Sequence, residues 1–320
     1  MKKIKTAVIG VGYLGKFHAQ KYAELEQAEL TAVVDNDADT AARIAQQHAT
    51  HPLTDYRELF GAVDAVSIVV PTEAHHRIAR ECLENGLDVL VEKPMTVTLQ
   101  EADELIQLAR KHNRILQVGH LERFNAAVMA LDGVIKQPMF IETHRLAPFK
   151  DRGTDVDVIL DIMIHDIDII LNMVGAPVTA IHAVGVPIVS PKKNDIANVR
   201  LEFASGCVAN VTSSRISLKE MRKTRVFQPD AYISIDFATQ QAEVYKRMAG
   251  EAALDGMPQI MYEEIDIKQG DALLNEISAF LNAVETRTEP AVTGEAGREA
   301  LKVALEIVEQ VEHRKKTIRL

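Results

Sequence analysis

The residues Leu87-Asp88-Val89-Leu90-Val91-Glu92-Lys93-Pro94 form a short run, largely apolar and β-branched, that Pro94 ends. This composition predicts a buried parallel strand. A charged Glu92–Lys93 pair at the carboxyl end of such a strand is costly unless something uses it. Ligands of open parallel sheets bind outside the carboxyl ends of the strands, so we expect Lys93 to meet both a cofactor and a substrate. The alternative is a solvent-exposed Glu–Lys pair without a function.

Composition limits the class of protein. The chain has 320 residues and 47% hydrophobic residues, enough for one large domain or two ordinary ones with a real core. We expect no membrane span and no signal peptide, because no apolar run is long enough and Met1–Lys5 leads directly into a strand. The net charge of -10 argues against nucleic-acid binding. Cys82 and Cys207, which lack metal-ligand spacing, favour a reduced cytoplasmic setting and predict no metal site.

A glycine-rich turn follows the first strand pattern. Lys5–Ile9 reads as a strand, Gly10-Val11-Gly12-Tyr13-Leu14-Gly15 follows at once, and Lys16–Leu25 has a helical pattern. This is the dinucleotide-binding fingerprint in its required context, strand before and helix after. Gly10 permits the tight turn, Gly12 lets the backbone approach a pyrophosphate, and Gly15 lets helix and strand pack closely.

Asp35 follows the second strand pattern, Leu30–Val34. It lies about 20 residues after Gly15, where an acidic residue binds the adenosine ribose hydroxyls. Such a carboxylate favours NAD over NADP, because it would repel the 2′-phosphate. The alternative is that Asp35 caps the helix Ala38–His48.

Strand and helix patterns alternate as far as Gly119. This alternation predicts an α/β fold whose N-terminal part is a doubly wound parallel Rossmann sheet that ends near His120. Further strand-like runs are Thr179–Val189, Ala197–Phe203, Cys207–Ile216, Tyr232–Phe237 and Gln241–Tyr245. Near the end of the chain, Asp271–Arg287 and Glu295–Arg314 read as amphipathic helices, and Thr317–Leu320 reads as an edge strand.

The chain resembles the glucose–fructose oxidoreductase and inositol dehydrogenase (Gfo/Idh/MocA) family. The matching segments are Gly10–Gly15, Pro71–His75, Gly86–Pro94 and Gly119–Asn125. The resemblance implies an NAD-binding Rossmann domain over residues 1–119 and, over residues 120–320, an α/β domain with a large, mostly antiparallel sheet for substrate binding and oligomerisation. It also implies an NAD-dependent dehydrogenase acting on a sugar or polyol hydroxyl, and homodimers or homotetramers formed sheet to sheet.

The resemblance and the fingerprint together define the predicted cofactor contacts. They are Gly10, Gly12, Tyr13, Leu14, Gly15, Asp35, Pro71, Thr72, His75, Glu92, Lys93 and Arg123. Thr72 is placed to touch the nicotinamide ribose. His75 and His76 begin a helix, and we expect them to be cap or rim residues rather than catalytic ones.

A second set of polar residues lies on the predicted helix Val158–Met173. At 100° per residue, Asp161, His165 and Asp168 fall on one narrow stripe. By itself a His beside a carboxylate is more often structural than catalytic. The pattern resembles, however, the family's Asp-x-x-x-His-x-x-Asp element, in which Gly usually stands where this chain has Met163. The resemblance implies that His165 is the general base, that Lys93 stabilises the developing charge on the oxygen, and that Asp161 orients the sugar.

Basic residues of the second half suggest how an anionic substrate could be held. Arg215, Lys219, Arg222, Lys223 and Arg225 form a cluster, and Arg145, Lys150 and Arg152 precede the helix. We expect Arg145, Lys150, Arg152, Arg215 and Arg222 to contact a substrate phosphate, together with Asp161 and His165 at the sugar. The alternative is a solvated loop.

Two segments, Val118–Asn125 and Arg152–Asp157, resemble a branch of the family that oxidises UDP-N-acetylglucosamine at its 3-hydroxyl. Its 3-keto product is aminated by a partner aminotransferase. One alternative is a dehydrogenase of a free sugar, an inositol or another small cyclic substrate. Another, of a different class, is a non-catalytic nucleotide-sensing regulator on the same fold, which need not keep Lys93, Asp161 and His165 together.

Overall fold

The computed structural model describes residues 3–149, 156–190, 193–247 and 260–318. The chain divides into two compact units, and each unit combines two segments of the sequence. The first unit consists of Met1–Leu121 and Asp271–Leu301, and the second consists of Glu122–Gly270 and Lys302–Leu320. The sequence predicts a single division between residues 119 and 120, so the structure differs in placing Asp271–Leu301 in the first unit.

A parallel sheet forms the centre of the first unit. Its strands are β1 (Ile4–Ile9), β2 (Ala28–Val34), β3 (His51–Leu53), β4 (Ala65–Ile68), β5 (Asp88–Glu92) and β6 (Leu116–Gly119). Helices α1 (Gly15–Glu24), α2 (Ala38–His48), α3 (Thr72–Glu84) and α4 (Leu99–Lys111) alternate with them. The order β3-β2-β1-β4-β5-β6, with every neighbouring pair parallel, confirms the predicted doubly wound sheet. The strand β3 was not predicted, because its three residues are too few to show a periodic pattern.

Helix α7 (Ala272–Thr286) explains why the first unit includes a segment from late in the chain. Its residues Ile277, Phe280 and Leu281 are buried in the same hydrophobic cluster as Val8 and Val33 of the sheet. Burying each such side chain contributes about 1.5–3 kcal/mol. The apolar face of α7 is therefore part of the core of the nucleotide-binding fold.

A larger sheet forms the second unit. Its strands are β7 (Phe140–Leu146), β8 (Val178–Val186), β9 (Ile196–Phe203), β10 (Val208–Ser214), β11 (Met221–Gln228), β12 (Ala231–Asp236), β13 (Gln241–Arg247) and β14 (Ile260–Glu264). Their order is β14-β13-β12-β11-β7-β10-β9-β8, and all neighbouring pairs are antiparallel except β7 and β10. The predicted mostly antiparallel sheet is confirmed. Part of the basic cluster is not a loop, because Arg222, Lys223 and Arg225 lie on β11, whose Thr224 and Val226 point into the core, whereas Arg215 and Lys219 lie in the connection before it.

The helices of the second unit are fewer and include one irregular segment. Helix α5 (Ala126–Met129) is short, a π-helix covers Ile159–Met163, and helix α6 covers Ile164–Val174. Helix α8 (Gly294–Ile318) ends the described part of the chain; its residues up to Leu301 belong to the first unit and the rest to the second. Within the described ranges, every helix is too short or too polar to cross a membrane.

The predicted edge strand at the end of the chain is wrong for the residues that can be checked. Thr317 and Ile318 belong to α8, and the Thr317 hydroxyl donates to the carbonyl of His313, one helical turn earlier. Arg319 and Leu320 lie outside the described residues. The helical periodicity that buries Ile307 and Val311 simply continues.

Candidate active site

The glycine loop between β1 and α1 leaves space for a ligand. Gly10 has φ +87°, and a Cβ there would lie 2.4 Å from the carbonyl oxygen of Val69. A Cβ at Gly15 would lie 1.7 Å from the carbonyl oxygen of Gly10. At Gly12, in contrast, a Cβ would meet nothing within 4 Å. The loop therefore needs two glycines for its own folding, and the third leaves open the space that a pyrophosphate would occupy.

Asp35 is attached to this loop. Its Oδ2 accepts the backbone N–H of Val11 at 2.9 Å, and its Oδ1 accepts the N–H of Asp37 at 3.1 Å. The N-cap of α2 is Asp37, whose carboxylate accepts the N–H of Asp39 and the hydroxyl of Thr40. The alternative role of Asp35 as that cap is therefore wrong. Each carboxylate oxygen can accept a further hydrogen bond, so Asp35 keeps acceptor capacity for a ribose diol.

Tyr13 and Leu14 lie on the outside of the glycine loop. Their exposed fractions are 63% and 45%. Tyr13 packs edge to face against Phe17, and the Lys16 ammonium lies 4.9 Å from the centre of the Phe17 ring. The exposure leaves both predicted cofactor contacts accessible to a ligand.

His75 is not the cap or rim residue that the sequence predicts. The N-terminal end of α3 follows Pro71 and begins with the half-buried Thr72. His75 has 1% of its surface exposed, and its ring nitrogens lie 2.9 Å from the carbonyl oxygen of Pro94 and 2.8 Å from that of Val70. Burial lowers the pKa of His75 below its ordinary value, although the two carbonyl contacts oppose this. Both ring nitrogens of His75, which is predicted to contact the cofactor, thus face backbone carbonyl oxygens.

Glu92 and Lys93 end strand β5 as predicted. The carboxylate of Glu92 lies 3.3 Å from Nε2 of His18, a buried residue of α1, and it also accepts the backbone N–H of Lys93 at 3.2 Å. A Cβ at Gly119 would lie 3.1 Å from Glu92, so glycine makes room for this side chain. Burial opposes ionisation of Glu92, but the hydrogen bond with His18 and the charge of Lys93 outweigh it and lower the pKa of Glu92. Glu92 thus faces His18, and its contact with the cofactor stays a prediction. Lys93 is half-buried and joined to Pro94 by a cis peptide bond.

The predicted catalytic helix of the second unit begins irregularly. The residues Ile159–Met163, which include Asp161, form a π-helix, and the regular α-helix with His165 starts at Ile164. A π-helix bonds i to i+5, so the angle of 100° per residue does not apply between Asp161 and His165. Both side chains are half-buried, whereas Asp168 has 1% of its surface exposed. The angular spacing that predicts a single stripe therefore fails at Asp161, whereas His165 and Asp168 keep the i, i+3 spacing of a regular α-helix.

Arg123 and Arg145 are bound by carboxylates of the second unit. Arg123 forms a bidentate pair with Asp168 and also donates to Asn172. Arg145 donates to both oxygens of Asp166 and to Glu122, and its guanidinium lies over the ring of Phe237. Burial works against the charge of Arg145, but its carboxylate partners outweigh burial and raise its pKa. Arg123, predicted as a cofactor contact, and Arg145, predicted as a substrate contact, thus both have carboxylate partners within the second unit, and their ligand contacts stay predictions.

Arg215 likewise has a structural environment. Only 4% of its surface is exposed, and its guanidinium donates to the carbonyl oxygens of Val156 and Asn194. The segment that it contacts also holds Asp157, whose carboxylate accepts the N–H of Ile159 at the start of the π-helix and two N–H groups of Asn194. The predicted contact between Arg215 and a substrate phosphate does not fit a side chain that is buried against this segment.

The three cluster residues on β11 lie near acidic partners. Arg222 pairs with Glu220, Lys223 with Asp236, and Arg225 with Glu142. Only one of these acids, Glu220, stands among the cations in the sequence. Asp236 and Glu142 come from neighbouring strands, so only strand pairing brings them beside Lys223 and Arg225. Lys150 and Arg152 lie outside the described residues. Among the described residues, no group of three or more His, Cys, Asp and Glu side chains is placed to hold a metal ion.

His18 is a residue of the site that the sequence reading missed. It comes three residues after Gly15, inside the helix pattern, and nothing in its immediate neighbourhood points to a partner. Its partner Glu92 lies on the fifth strand of the sheet, far along the chain. Only the order of the strands brings the two together.

The glycine loop, the acidic residue at the end of β2 and the Glu-Lys-Pro turn define the first unit as the dinucleotide-binding part of an oxidoreductase. Comparison with known families agrees. A family described as "Oxidoreductase family, NAD-binding Rossmann fold" matches residues 4–120, and the GFO/IDH/MocA C-terminal domain matches residues 128–233. The chain belongs to the Gfo/Idh/MocA family of oxidoreductases, and its nucleotide-binding unit is built for a nicotinamide cofactor.

Several relatives match the chain over nearly its full length. UDP-N-acetylglucosamine 3-dehydrogenase of Acidithiobacillus ferrooxidans is 40% identical over 313 residues, 98% of each chain. The solved structure of that enzyme, GnnA, has a TM-score of 0.92 and covers 98% of this chain and 99% of its own. Myo-inositol 2-dehydrogenase of Thermotoga maritima is 25% identical over 316 residues, 93% of each chain.

Proposed function

We propose that the protein oxidises the 3-hydroxyl of UDP-N-acetylglucosamine with NAD and forms the 3-keto sugar nucleotide. The observation that carries this proposal is the 40% identity over 98% of the chain to a relative of that name. The agreement of folds supports it, with a TM-score of 0.92 to the same enzyme. The expected basic site for the diphosphate does not add support, because Arg145 and Arg215 are buried and Arg222 lies beside Glu220.

The nucleotide unit supports NAD as the cofactor. Asp35 is held by the N–H of Val11 so that its carboxylate stands beside the glycine loop. A 2′-phosphate would meet the negative charge of this side chain, with the carboxylate of Asp37 two residues away. When bound, the nicotinamide ring accepts the hydride that leaves the carbinol carbon.

The protein's own groups would handle the proton and the charge. We assign His165 as the base that takes the hydroxyl proton, because histidine is the side chain whose unperturbed pKa lies near neutrality, and this one is half-buried. Lys93 would donate a hydrogen bond to the reacting oxygen and stabilise its developing negative charge. Asp161 would hold a neighbouring hydroxyl of the sugar. The retention of all three residues favours an enzyme over a nucleotide-sensing regulator.

A dehydrogenase of a free sugar or an inositol is the second candidate. The specific observation in its favour is that the cations of β11 have acidic neighbours, so this surface carries little net charge for a diphosphate. The 25% identity to myo-inositol 2-dehydrogenase over 93% of the chain agrees with the same general chemistry. The two candidates differ in whether the UDP group contributes to binding.

One experiment separates the candidates. The purified protein is incubated with NAD and, separately, with UDP-N-acetylglucosamine, UDP-glucose, N-acetylglucosamine and myo-inositol, while NADH absorbance and product mass are followed. We expect NADH only with UDP-N-acetylglucosamine, together with a product 2 mass units lighter, since two hydrogens leave an alcohol that becomes a ketone. Turnover of myo-inositol or a free sugar, without turnover of the sugar nucleotide, would replace the proposal by the second candidate.

We also propose that the protein assembles as a homodimer or homotetramer through the face of the large sheet that carries an aromatic ladder. The rings of Phe140, Phe227, Tyr232, Tyr245 and Tyr262 stack across five adjacent strands at centroid distances of 5.0–5.6 Å. Four of these rings are half-buried and Tyr262 is exposed, and aromatic rings accessible in a continuous row are typical of protein contact surfaces. We expect sedimentation to show Tyr232→Glu as a smaller species than the wild type, and Lys111→Glu, an exposed change in the first unit, to be unaltered.

The proposed product implies a partner enzyme, and the two cysteines bear on the cellular location. A 3-keto sugar nucleotide is a substrate for an aminotransferase, so such an enzyme is the expected pathway partner. The buried thiols Cys82 and Cys207 are unpaired in the structure, which supports a reducing, cytoplasmic location.

A further inference from the structure

Two buried histidines contact the turn that follows strand β5. His18 comes from α1 and His75 from α3, with 2% and 1% of their surfaces exposed. Glu92 is the last residue of β5, and the turn begins with Lys93 and Pro94. Helix α1, which follows β1, thus places an imidazole against the side chain of Glu92, just before Lys93. Helix α3, which follows β4, places one against the backbone of Pro94, just after Lys93.

His75 contacts the residue that follows Lys93, which is Pro94. One ring nitrogen, Nδ1, lies 2.9 Å from the carbonyl oxygen of Pro94, and the other, Nε2, lies 2.8 Å from that of Val70. Carbonyl oxygens only accept hydrogen bonds and a neutral imidazole carries one N–H, so each tautomer donates to one of the two carbonyls, and the tautomer with its hydrogen on Nδ1 donates to Pro94. Val70 stands just after β4, and Pro94 just after Lys93. The imidazole therefore connects the ends of two adjacent strands.

His18 contacts the side chain of the residue that precedes Lys93, which is Glu92. Its Nε2 lies 3.3 Å from Oε1 of Glu92, and Oε2 of the same carboxylate accepts the backbone N–H of Lys93 at 3.2 Å. Glycine at position 119 allows the carboxylate to lie this close to the next strand. The backbone of Lys93 is thus fixed on one side by its own N–H and on the other by the carbonyl of Pro94.

We propose that His18 and His75 are positioning residues that fix the backbone on both sides of Lys93 and thereby set where its ammonium group stands. This inference rests on the proposed function insofar as Lys93 acts on the reacting oxygen. Neither histidine need touch substrate or cofactor, because each acts through the turn. A displacement of about 1 Å in a catalytic group can reduce turnover about a hundredfold.

The two histidines allow a test with opposite expectations. An Asn side chain places its amide near the position of Nδ1, and a Gln side chain places its amide near that of Nε2. Because His75 contacts Pro94 through Nδ1, we expect His75→Asn to keep kcat within about tenfold of wild type and His75→Gln to lose about a hundredfold. Because His18 contacts Glu92 through Nε2, we expect the reverse, with His18→Gln active and His18→Asn impaired. KM and NAD affinity should stay near wild type in all four variants.

A role in packing alone predicts a different result. Gln is closer to His in volume than Asn is, so a purely structural role would favour Gln at both positions. Gln equal to or better than Asn at position 75, or four variants with wild-type kcat, would overturn the inference. In a Lys93→Ala background, moreover, His75→Gln should cause no further loss of kcat, since positioning residues act only through the group that they position. A full additional loss there would also overturn it.

A measurement without substrate separates this inference from the proposed function. Lysine reactivity depends on the local environment of the amine, so the acetylation of Lys93 by acetic anhydride is followed by peptide mass spectrometry, with the exposed Lys111 as an internal reference. We expect the ratio of Lys93 to Lys111 acetylation to change at least about threefold in His75→Gln and to stay near wild type in His75→Asn. An unchanged ratio in His75→Gln counts against the inference even if no sugar of the panel is oxidised, whereas failure of the panel alone counts only against the proposed function.

Discussion

Arg123 and Asp168 form a bidentate ion pair, with Nε 2.7 Å from Oδ2 and Nη2 2.8 Å from Oδ1. Asp168 is buried, and the side chain of Arg123 is 13% exposed. The pair joins Arg123, predicted as a cofactor contact, to Asp168, predicted to share a helix stripe with Asp161 and His165. Its first consequence concerns stability.

Removing one partner of this pair should destabilise the second unit. We expect Asp168→Ala to lower the free energy of unfolding by about 3–5 kcal/mol, because Arg123 would keep a charge with little access to water. Denaturant unfolding, followed by circular dichroism, measures the change. The matched control is Arg222→Ala, whose exposed partner Glu220 makes an effect of no more than about 1 kcal/mol expected. Equal effects of the two variants would contradict a structural role for the Arg123–Asp168 pair.

Two glycines of the same loop should respond differently to alanine. Gly15→Ala would place a Cβ 1.7 Å from the carbonyl of Gly10, so we expect a less stable protein. Gly12→Ala meets nothing within 4 Å, so we expect wild-type stability but weaker NAD binding, because the methyl group fills the space for the pyrophosphate. Thermal unfolding without ligand and calorimetry with NAD measure the two properties. Normal NAD affinity in Gly12→Ala would place the pyrophosphate elsewhere.

Asp35 should determine the choice between NAD and NADP. We expect Asp35→Ser to weaken NAD binding and to improve NADP binding relative to it, since the variant loses the acceptor for the ribose diol and the charge that repels a phosphate. Dissociation constants of both nucleotides for wild type and variant give the ratio. Asp37→Ser is the control for a nearby carboxylate that caps α2. A wild type that prefers NADP would disprove the assignment of Asp35.

His165 should be needed for turnover and not for cofactor binding. We expect His165→Ala to lower kcat by about 100- to 10,000-fold, the usual contribution of a general base, with NAD affinity unchanged. Lys93→Ala should also lower kcat sharply. His182→Ala, at an exposed histidine of β8, serves as the control. Oxidation by His165→Ala at the wild-type rate would return His165 to a structural role.

The buried thiol of Cys82 should make stability depend on alkaline pH. Burial raises the pKa of Cys82 to about 12, whereas an unfolded cysteine ionises near about 8.5. Between these values the unfolded chain releases a proton that the folded chain keeps, so a rise in pH favours unfolding. We expect this thiol to contribute a fall of about 1.4 kcal/mol in unfolding free energy per pH unit above about 8.5. Cys82→Ala should show a shallower slope between pH 9 and 11, measured by urea unfolding, and an identical slope would refute the prediction.

Local sequence patterns are sufficient to predict the nucleotide-binding part of the fold. A strand, three glycines and a helix lie next to each other in sequence, so the pattern that forms the loop can be seen in one window of the chain. The alternation of apolar strands and helices is also visible along the sequence, and it predicts the parallel sheet. Glu92 and Lys93 appear at a strand end in both the sequence and the structure.

Charge assignments failed where the partner comes from another strand or helix. Arg145, Arg215 and Arg225 look like available cations in the sequence, but strand pairing and helix packing bring Asp166, Asp195 and Glu142 beside them. The π-helix was missed because its residues Ile159–Met163 have an ordinary helical composition, so no periodic signal marks the wider turn. His18 and His75 were misjudged because their contacts depend on the order of strands in the sheet.

The contribution of α7 to the first core affects how the protein is made. A ribosome synthesises residues 1–121 long before it reaches Leu301, and at about 5–20 residues per second the intervening chain takes roughly 10 to 40 s. During this time the cluster around Val8 and Val33 lacks the face that Phe280 and Leu281 later cover. The nascent nucleotide-binding fold therefore waits with an uncovered apolar surface, which is the kind of surface that chaperones bind. Expression of residues 1–121 alone would leave that surface uncovered permanently.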